Sequence, residues 1–241
     1  MNACLEASPA PNQLMTSLSA IRREIVLCQS CPRLRAYCAR VAQKKRASFR
    51  NEDYWAQPVP GFGDKNARVL VIGLAPGAHG ANRTGRVFTG DKSGDFLINA
   101  MHSEGFANQP TTQHAKDPLR LIDAYLNNVV RCAPPDNKPS AREIQNCERF
   151  LEAELAVLTR VQVVLSLGNA AFDAYWHFMA RRNIIPSRKP HFSHGSIFIQ
   201  KKDSGPHLVT SYHPSQRNTN TGKITAVMLR NVFKTIQTLL R

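Results

Sequence analysis

Acidic residues are scarce in this sequence: 17 Asp plus Glu stand against 32 Lys plus Arg, a formal net charge of +15 over 241 residues. The positive residues recur along the whole length, which argues against an indifferent surface and for a polyanionic partner, nucleic acid or anionic lipid. Also missing is any run of about 18 apolar residues, so no membrane-spanning helix is expected. The N-terminal MNACLEASPAPNQL has no basic head followed by an apolar core, so no targeting signal is read there and a soluble, cytoplasmic protein is expected. No repeat and no low-complexity block occurs, which excludes a solenoid. In a reducing compartment the six cysteines are poor candidates for structural disulfides and point to metal ligation or redox chemistry.

What is present reads as one domain, residues 1–241, with 1–12 a loose start. Leu14, Leu18, Ile21 and Ile25 recur at helical spacing. That helix meets CQSCPRL, where Pro32 forbids simple continuation, and a second helical stretch runs through Arg46. ASFRNEDYWAQPVPGFGDKN then reads as an irregular loop. Beyond it, apolar runs at Arg68 to Leu74, Tyr125 to Arg131, Val161 to Leu167 and Leu208 to Tyr212 alternate with helical patterns at Ser93 to Ser103, Ser140 to Leu158, Asn169 to Arg182 and Lys223 to Leu240. Continuous apolar strands separated by helices predict a doubly wound α/β/α sandwich around a central four-stranded parallel sheet. The segment Phe192 to Lys202 adds a small strand or hairpin.

In such a sheet, ligands bind outside the carboxyl ends of the strands. Those ends read GLAPGAHG, NNVVRC, SLGN and SYHPS, so one Gly-rich polar rim is the default active site. The loop after the first strand lacks both the Gly-Lys-Ser/Thr of a P-loop and G-x-G-x-x-G, which weakens any nucleotide-triphosphate reading. It leaves a backbone-lined floor flanked by Arg83 and Arg86. Phe88 is placed at the pocket mouth or in the core. Asp91, two residues before an expected helix cap at Ser93, is a site carboxylate or a capping residue. His213, set by Pro214 at a strand end, projects over the rim or is structural. Ser215, Gln216, Arg217 and Asn218 form a short polar loop suited to a DNA groove.

Cys28 and Cys31 form a C-x2-C pair, and Cys132 with Cys147 supplies a second, wider one. Four thiolates satisfy either a tetrahedral zinc or an iron–sulfur cluster, and the wide second pair favours the cluster. Alternatively, Cys132 and Cys147 are ordinary buried cysteines. Cys38 can replace one of the four, and Cys4 is left over.

With GLAPGAHGANRTGRVFTGDKSGDFL, NVVRCAPPDNKP plus Cys147, and SYHPSQRNTNTG in order on matching strand ends, the sequence from Cys28 onward resembles the uracil-DNA glycosylase superfamily, and within it the iron–sulfur family 5 (type B) enzymes. The resemblance implies a structural [4Fe-4S] cluster on Cys28, Cys31, Cys132 and Cys147 that braces the N-terminal helices against the sheet. It implies hydrolysis of the N-glycosidic bond of uracil, hypoxanthine or another damaged base in double-stranded DNA by a monomer, after the base is flipped out. A neighbouring family carries an acidic residue where this chain has Leu74 or Ala75, so the resemblance names no water-activating group. On this reading Phe88 stacks on the base and Asn128, otherwise a turn asparagine, reads its edge, while Gly73, Leu74, Ala75, Gly77 and His79 shape the pocket. His213 donates to the base oxygen, and Asp91 stabilises the cationic sugar or orients water. Arg83, Arg86 and Arg217 contact phosphates, and the loop Ser215–Asn218 wedges into the vacated space. The competing classes are a non-enzymatic nucleic-acid binder with a four-cysteine zinc site and a small nucleotide or phosphate hydrolase; the latter lacks a magnesium-binding carboxylate pair.

Overall fold

The computed structural model describes residues 15–200 and 205–240. The loose start at 1–12, Leu14, Cys4 and the last two residues of the Phe192–Lys202 segment lie outside them. The strands are β1 (Phe62–Gly63), β2 (Val69–Gly73), β3 (Ala124–Asn128), β4 (Val163–Leu167), β5 (Ile197–Phe198) and β6 (His207–Ser211). The helices are α1 (Leu18–Leu27), α2 (Pro32–Lys44), α3 (Ala81–Thr84), α4 (Lys92–Ser103), α5 (Ala141–Val157), α6 (Asn169–Arg181), α7 (Gln216–Asn220) and α8 (Ala226–Leu239).

The sheet runs β1-β3-β2-β4-β6-β5. Its four central strands are parallel, while β1 and β5 pair antiparallel at the two edges, so the sheet is mixed rather than purely parallel. The expected strand in SIFIQ is β5; β1 falls inside the stretch expected to be an irregular loop. Edges this short offer little unpaired backbone to another chain.

All five residues of β2 are buried, which explains the unbroken apolar run. Val69 and Val71 face one layer with Leu97, Ile98, Phe233 and Ile236 of α4 and α8, and Leu70 and Ile72 face the other with Leu151 of α5 and Phe172 of α6. Burying one such side chain contributes roughly 1.5–3 kcal/mol. α1 packs outside α5 through Ile21, Ile25 and Phe150. Pro32 is the first residue of α2, where its missing N–H costs nothing.

Boundaries shift for local reasons. Strand pairing of β3 stops at Asn128, and Val129 and Val130 then donate to the carbonyls of Gly73 and Leu74 at 2.9 Å each as the chain folds over the end of β2. Ser140 caps α5 in a capping box with Glu143, and Thr225 caps α8. The cap of α4 is Asp91 itself, not Ser93. Because β2 connects to β3 on one side and is flanked by β4 on the other, the strand order reverses at its carboxyl end, where a crevice must open.

Candidate active site at the carboxyl edge of the sheet

A cavity of about 880 Å³ occupies that crevice. Leu74, Ala75, Gly77, His79, Phe88, Asp91, Asn128, His213, Ser215 and Gln216 all line it. Gly73 lies against two of these side chains, Asn128 and Phe88. A Cβ there would lie 2.4 Å from Asn128 Oδ1 and 2.6 Å from Phe88 Cζ, so only glycine lets the ring and the amide approach across the strand end.

Phe88 is only 8% exposed and adopts φ +48°, a left-handed conformation that a bulky residue avoids. Such a backbone costs on the order of 1–3 kcal/mol and persists when its surroundings demand it. Here it turns the ring into the cavity, 6.5 Å from the His213 ring centroid with 34° between the planes. Asn128 is 3% exposed, and its Oδ1 has no hydrogen-bond partner among the described residues. A buried orphan acceptor is costly unless something from outside donates to it.

The two carboxylate oxygens of Asp91 face different neighbours. Oδ1 accepts from the Gly94 N–H at 2.9 Å and caps α4. Oδ2 faces the glycine loop so closely that a Cβ on Gly80 would lie 1.9 Å from it. Burial pushes this carboxyl above the usual carboxylate range, and the N–H groups of Gly94 and Ser93 pull it partly back.

His213 follows β6, and Gly168, at φ +89°, packs against it: a Cβ on Gly168 would sit 3.0 Å from that of His213. Burial pulls the imidazole pKa down to about 4, so the ring is neutral at neutral pH. The turn is held by Asn218, whose Nδ2 donates to the His213 carbonyl at 2.8 Å, and by Ser215, whose Oγ accepts from the Asn218 N–H at 3.4 Å. Residues expected as a free loop thus form the cap and first turn of α7, with Gln216 and Arg217 exposed. His79 Nδ1 is hydrogen-bonded to the Tyr54 hydroxyl at 2.9 Å, and burial, with Arg46 and Arg83 nearby, lowers its pKa.

Arg83 and Arg86, expected beside the glycine loop, are both buried, at 6% and 5% exposure, and Arg83 is among the residues that line the cavity. Arg83 pairs with Glu52, donates to the carbonyls of His79 and Gly90 at 2.8 and 2.7 Å, and lies 3.8 Å over the Phe49 ring. Arg86 pairs with Asp117 at 2.6 Å and donates to Thr89 Oγ1 at 2.9 Å. Buried guanidiniums need such partners, and these two pin the glycine loop in place.

Sequence reasoning passed over part of the cavity wall. Leu167 to Ala171, at the β4–α6 junction, carried a signal in the strand end SLGN. Tyr37, Arg46 and Phe49, from α2 and the stretch that follows it, carried none.

Behind the sheet, α5 clasps the C-x2-C knuckle. Asn146 Nδ2 donates to the Ser30 carbonyl at 3.2 Å and to Cys31 Sγ at 3.5 Å, and Arg149 Nη2 donates to Cys28 Sγ at 3.4 Å. Cys147 lies between them in sequence and is buried with Cys31, Cys38 and Cys132 in one core cluster. Burial pushes the Cys147 thiol up to about 11 although the Arg131 N–H and charge oppose it. Arg131 is itself fully buried, paired with Glu154 at 2.5 Å, and its Nε and Nη1 have no partner. Cys38 is a fifth sulfur nearby, donating to the Ala133 carbonyl at 3.6 Å. Among the described residues no three His, Cys, Asp or Glu side chains stand close enough to hold one metal ion, and no helix is long and apolar enough to cross a membrane.

Known proteins match the sequence over most of its length. The profile described as the uracil DNA glycosylase superfamily matches residues 60–237. The chain belongs to this superfamily. The Type-5 uracil-DNA glycosylase of Thermus thermophilus is 46% identical over 215 residues, 89% of this chain and 94% of its own length. That of Mycobacterium leprae is 41% identical, covering 90% and 93%, and that of Pyrobaculum aerophilum 39%, covering 87% and 88%. In this glycosylase-family chain the profile spans every rim residue together with Cys132 and Cys147, and begins after the Cys28–Cys31 knuckle.

Proposed function

We propose that the chain removes uracil from double-stranded DNA, hydrolysing the N-glycosidic bond and leaving an abasic site. The observation that carries this reading is the orphan Oδ1 of Asn128, held across Gly73 from the Phe88 ring at the bottom of a cavity large enough for a nucleobase. Inside a duplex the bond is out of reach, so the nucleotide flips out at a cost of a few kcal/mol. Its face then stacks on Phe88. Uracil carries N3–H beside a carbonyl oxygen, and that N–H supplies the donor Asn128 Oδ1 lacks. Cytosine has an unprotonated N3 there and leaves the acceptor unsatisfied, a difference worth about 1–3 kcal/mol. Hypoxanthine repeats the uracil pattern of N–H beside a carbonyl, which supports its acceptance as a further substrate.

As the bond breaks, negative charge grows on the base and positive charge on the sugar. A neutral His213 donates to the base oxygen without an added positive charge. Asp91 Oδ2, free of the helix cap, faces the cationic sugar or orients the water that adds to it. On this reading the protein acts as a monomer beside the chromosomal DNA.

Cys28, Cys31, Cys132 and Cys147 would hold the [4Fe-4S] cluster, a brace between the α1–α2 knuckle, the end of β3 and α5 with no part in the chemistry. The donor set fits in its chemistry: Cys31, Cys132 and Cys147 are buried and Cys28 half-buried, with Asn146 and Arg149 donating to the sulfurs of Cys31 and Cys28. A cluster gives each thiolate its own iron, and one tight C-x2-C pair with one wide Cys132/Cys147 pair suits it, whereas a single structural zinc more often draws on a second tight knuckle. The test of activity is a duplex with one uracil, incubated with the protein and heated in alkali. Strand scission at uracil but not at cytosine is expected, and an intact uracil strand contradicts the reading.

A further inference from the structure

All four carboxylates of α5 are engaged by arginines from elsewhere in the chain: Glu143 by Arg33, Glu148 by Arg181, Glu152 by Arg182 and Glu154 by Arg131. Arg149, on the same helix, is left out. Glu152, one turn further on, is the ordinary partner for an arginine on a helix surface, yet among the described residues Arg149 forms no salt bridge. Its guanidinium lies 4.6 Å from the centre of the buried Phe150 ring and donates to Cys28 Sγ and Ser30 Oγ, at 3.4 Å each. Asn146, one turn back, donates to Cys31 Sγ at 3.5 Å. One stretch of α5 therefore carries Cys147 and aims an N–H at each sulfur of the C-x2-C knuckle. Of the four expected ligands Cys28 is the half-buried one, the other three being buried.

Resting on the cluster reading, we infer that Asn146 and Arg149 are positioning residues for the [4Fe-4S] group: they hold its reduction potential up and protect its most exposed corner, at Cys28, from oxidative loss. A cluster on four thiolates is anionic, and the reduced member of any of its couples carries one further negative charge. N–H donors to the ligand sulfurs and a nearby positive charge favour that more negative member. An oxidant must therefore draw its electron away against the Arg149 charge, which no carboxylate of α5 cancels. Asn146 adds a neutral donor at Cys31, so it contributes less than Arg149 does.

The test is a redox titration of the purified protein followed by its visible absorbance, with no DNA present. R149M keeps an unbranched stem over Phe150 but removes both the charge and the donor. Loss of one solvent-screened charge at this range should weaken one-electron reduction about threefold to tenfold, a shift of roughly 30–60 mV to more negative potential. Ferricyanide, which takes one electron from the cluster and becomes ferrocyanide, should bleach R149M faster than wild type. R149K, which returns a cation, should restore most of the potential. N146D, which sets a carboxylate beside Cys31, should lower it as R149M does. R160A, which removes an exposed arginine beyond the end of α5, should leave it unchanged. A wild-type potential in R149M, or an equal shift in R160A, overturns the inference. A colourless wild-type protein would instead refute the cluster reading, and this inference with it, before any variant is compared.

Discussion

Acidification is expected to destabilise the protein through His213. In the unfolded chain this imidazole takes up a proton near pH 6.5, but in the fold burial pulls its pKa down to about 4. Between those values the unfolded state binds the extra proton, so stability is lost as pH falls through the window. The gap is roughly 2.5 units, which at about 1.4 kcal/mol each puts the full loss on the order of 3 kcal/mol at pH 4. In a chain of this length about 2–4 °C of Tm goes with each kcal/mol, so Tm should fall on the order of 10 °C from this group alone. Carboxylates held down by arginines, such as Asp117 and Glu143, act only lower, as pH drops through their own ordinary range. The assay is thermal unfolding from pH 7 to pH 4 for wild type and H213Q, whose amide does not titrate. The wild-type Tm should fall faster than that of H213Q between about pH 6.5 and 4. Parallel curves would refute the claim that a neutral imidazole is buried at this site.

Three further outcomes follow from the same geometry. N128A removes the orphan acceptor, so single-turnover uracil release should slow by at least about tenfold, the equivalent of some 1.4 kcal/mol, while Tm holds or rises; a lowered Tm with wild-type release would show the amide to be structural. G80A drives a methyl group into Asp91 Oδ2 and should cost about 1–3 kcal/mol in denaturant unfolding, with a matching loss of release; wild-type values in both would mean that the carboxylate does not occupy this position. The purified protein should be brown, with visible iron–sulfur absorbance that C147A abolishes along with several degrees of Tm. A colourless protein carrying zinc contradicts that.

Periodicity made the central sheet legible because strands buried on both faces must be apolar throughout, as Val69 to Ile72 are. The edge strand β1 was hard to read because two residues carry no period, whereas SIFIQ signalled β5; β3 looked longer than it is because Val129 and Val130 remain buried after pairing ends. The rim was legible as strand ends. The fates of its charged residues were not, since sequence alone cannot tell an exposed arginine from one paired inside, and the partners Glu52 and Asp117 lie 31 residues away from Arg83 and Arg86. Asp91 illustrates a different limit: capping and site roles were set against each other, yet a cap made through Oδ1 leaves Oδ2 facing the glycine loop, so the first role does not exclude the second.

The central claim is that one cavity joins Phe88, Asn128 and His213 around a flipped uracil. It is tested most directly by single-turnover release from a uracil-containing duplex, wild type against H213A, with duplex affinity measured alongside. The account predicts release slowed about a hundredfold to a thousandfold with affinity retained, the usual effect of removing one well-placed donor to a developing anion. Equal release rates in the two proteins would contradict it.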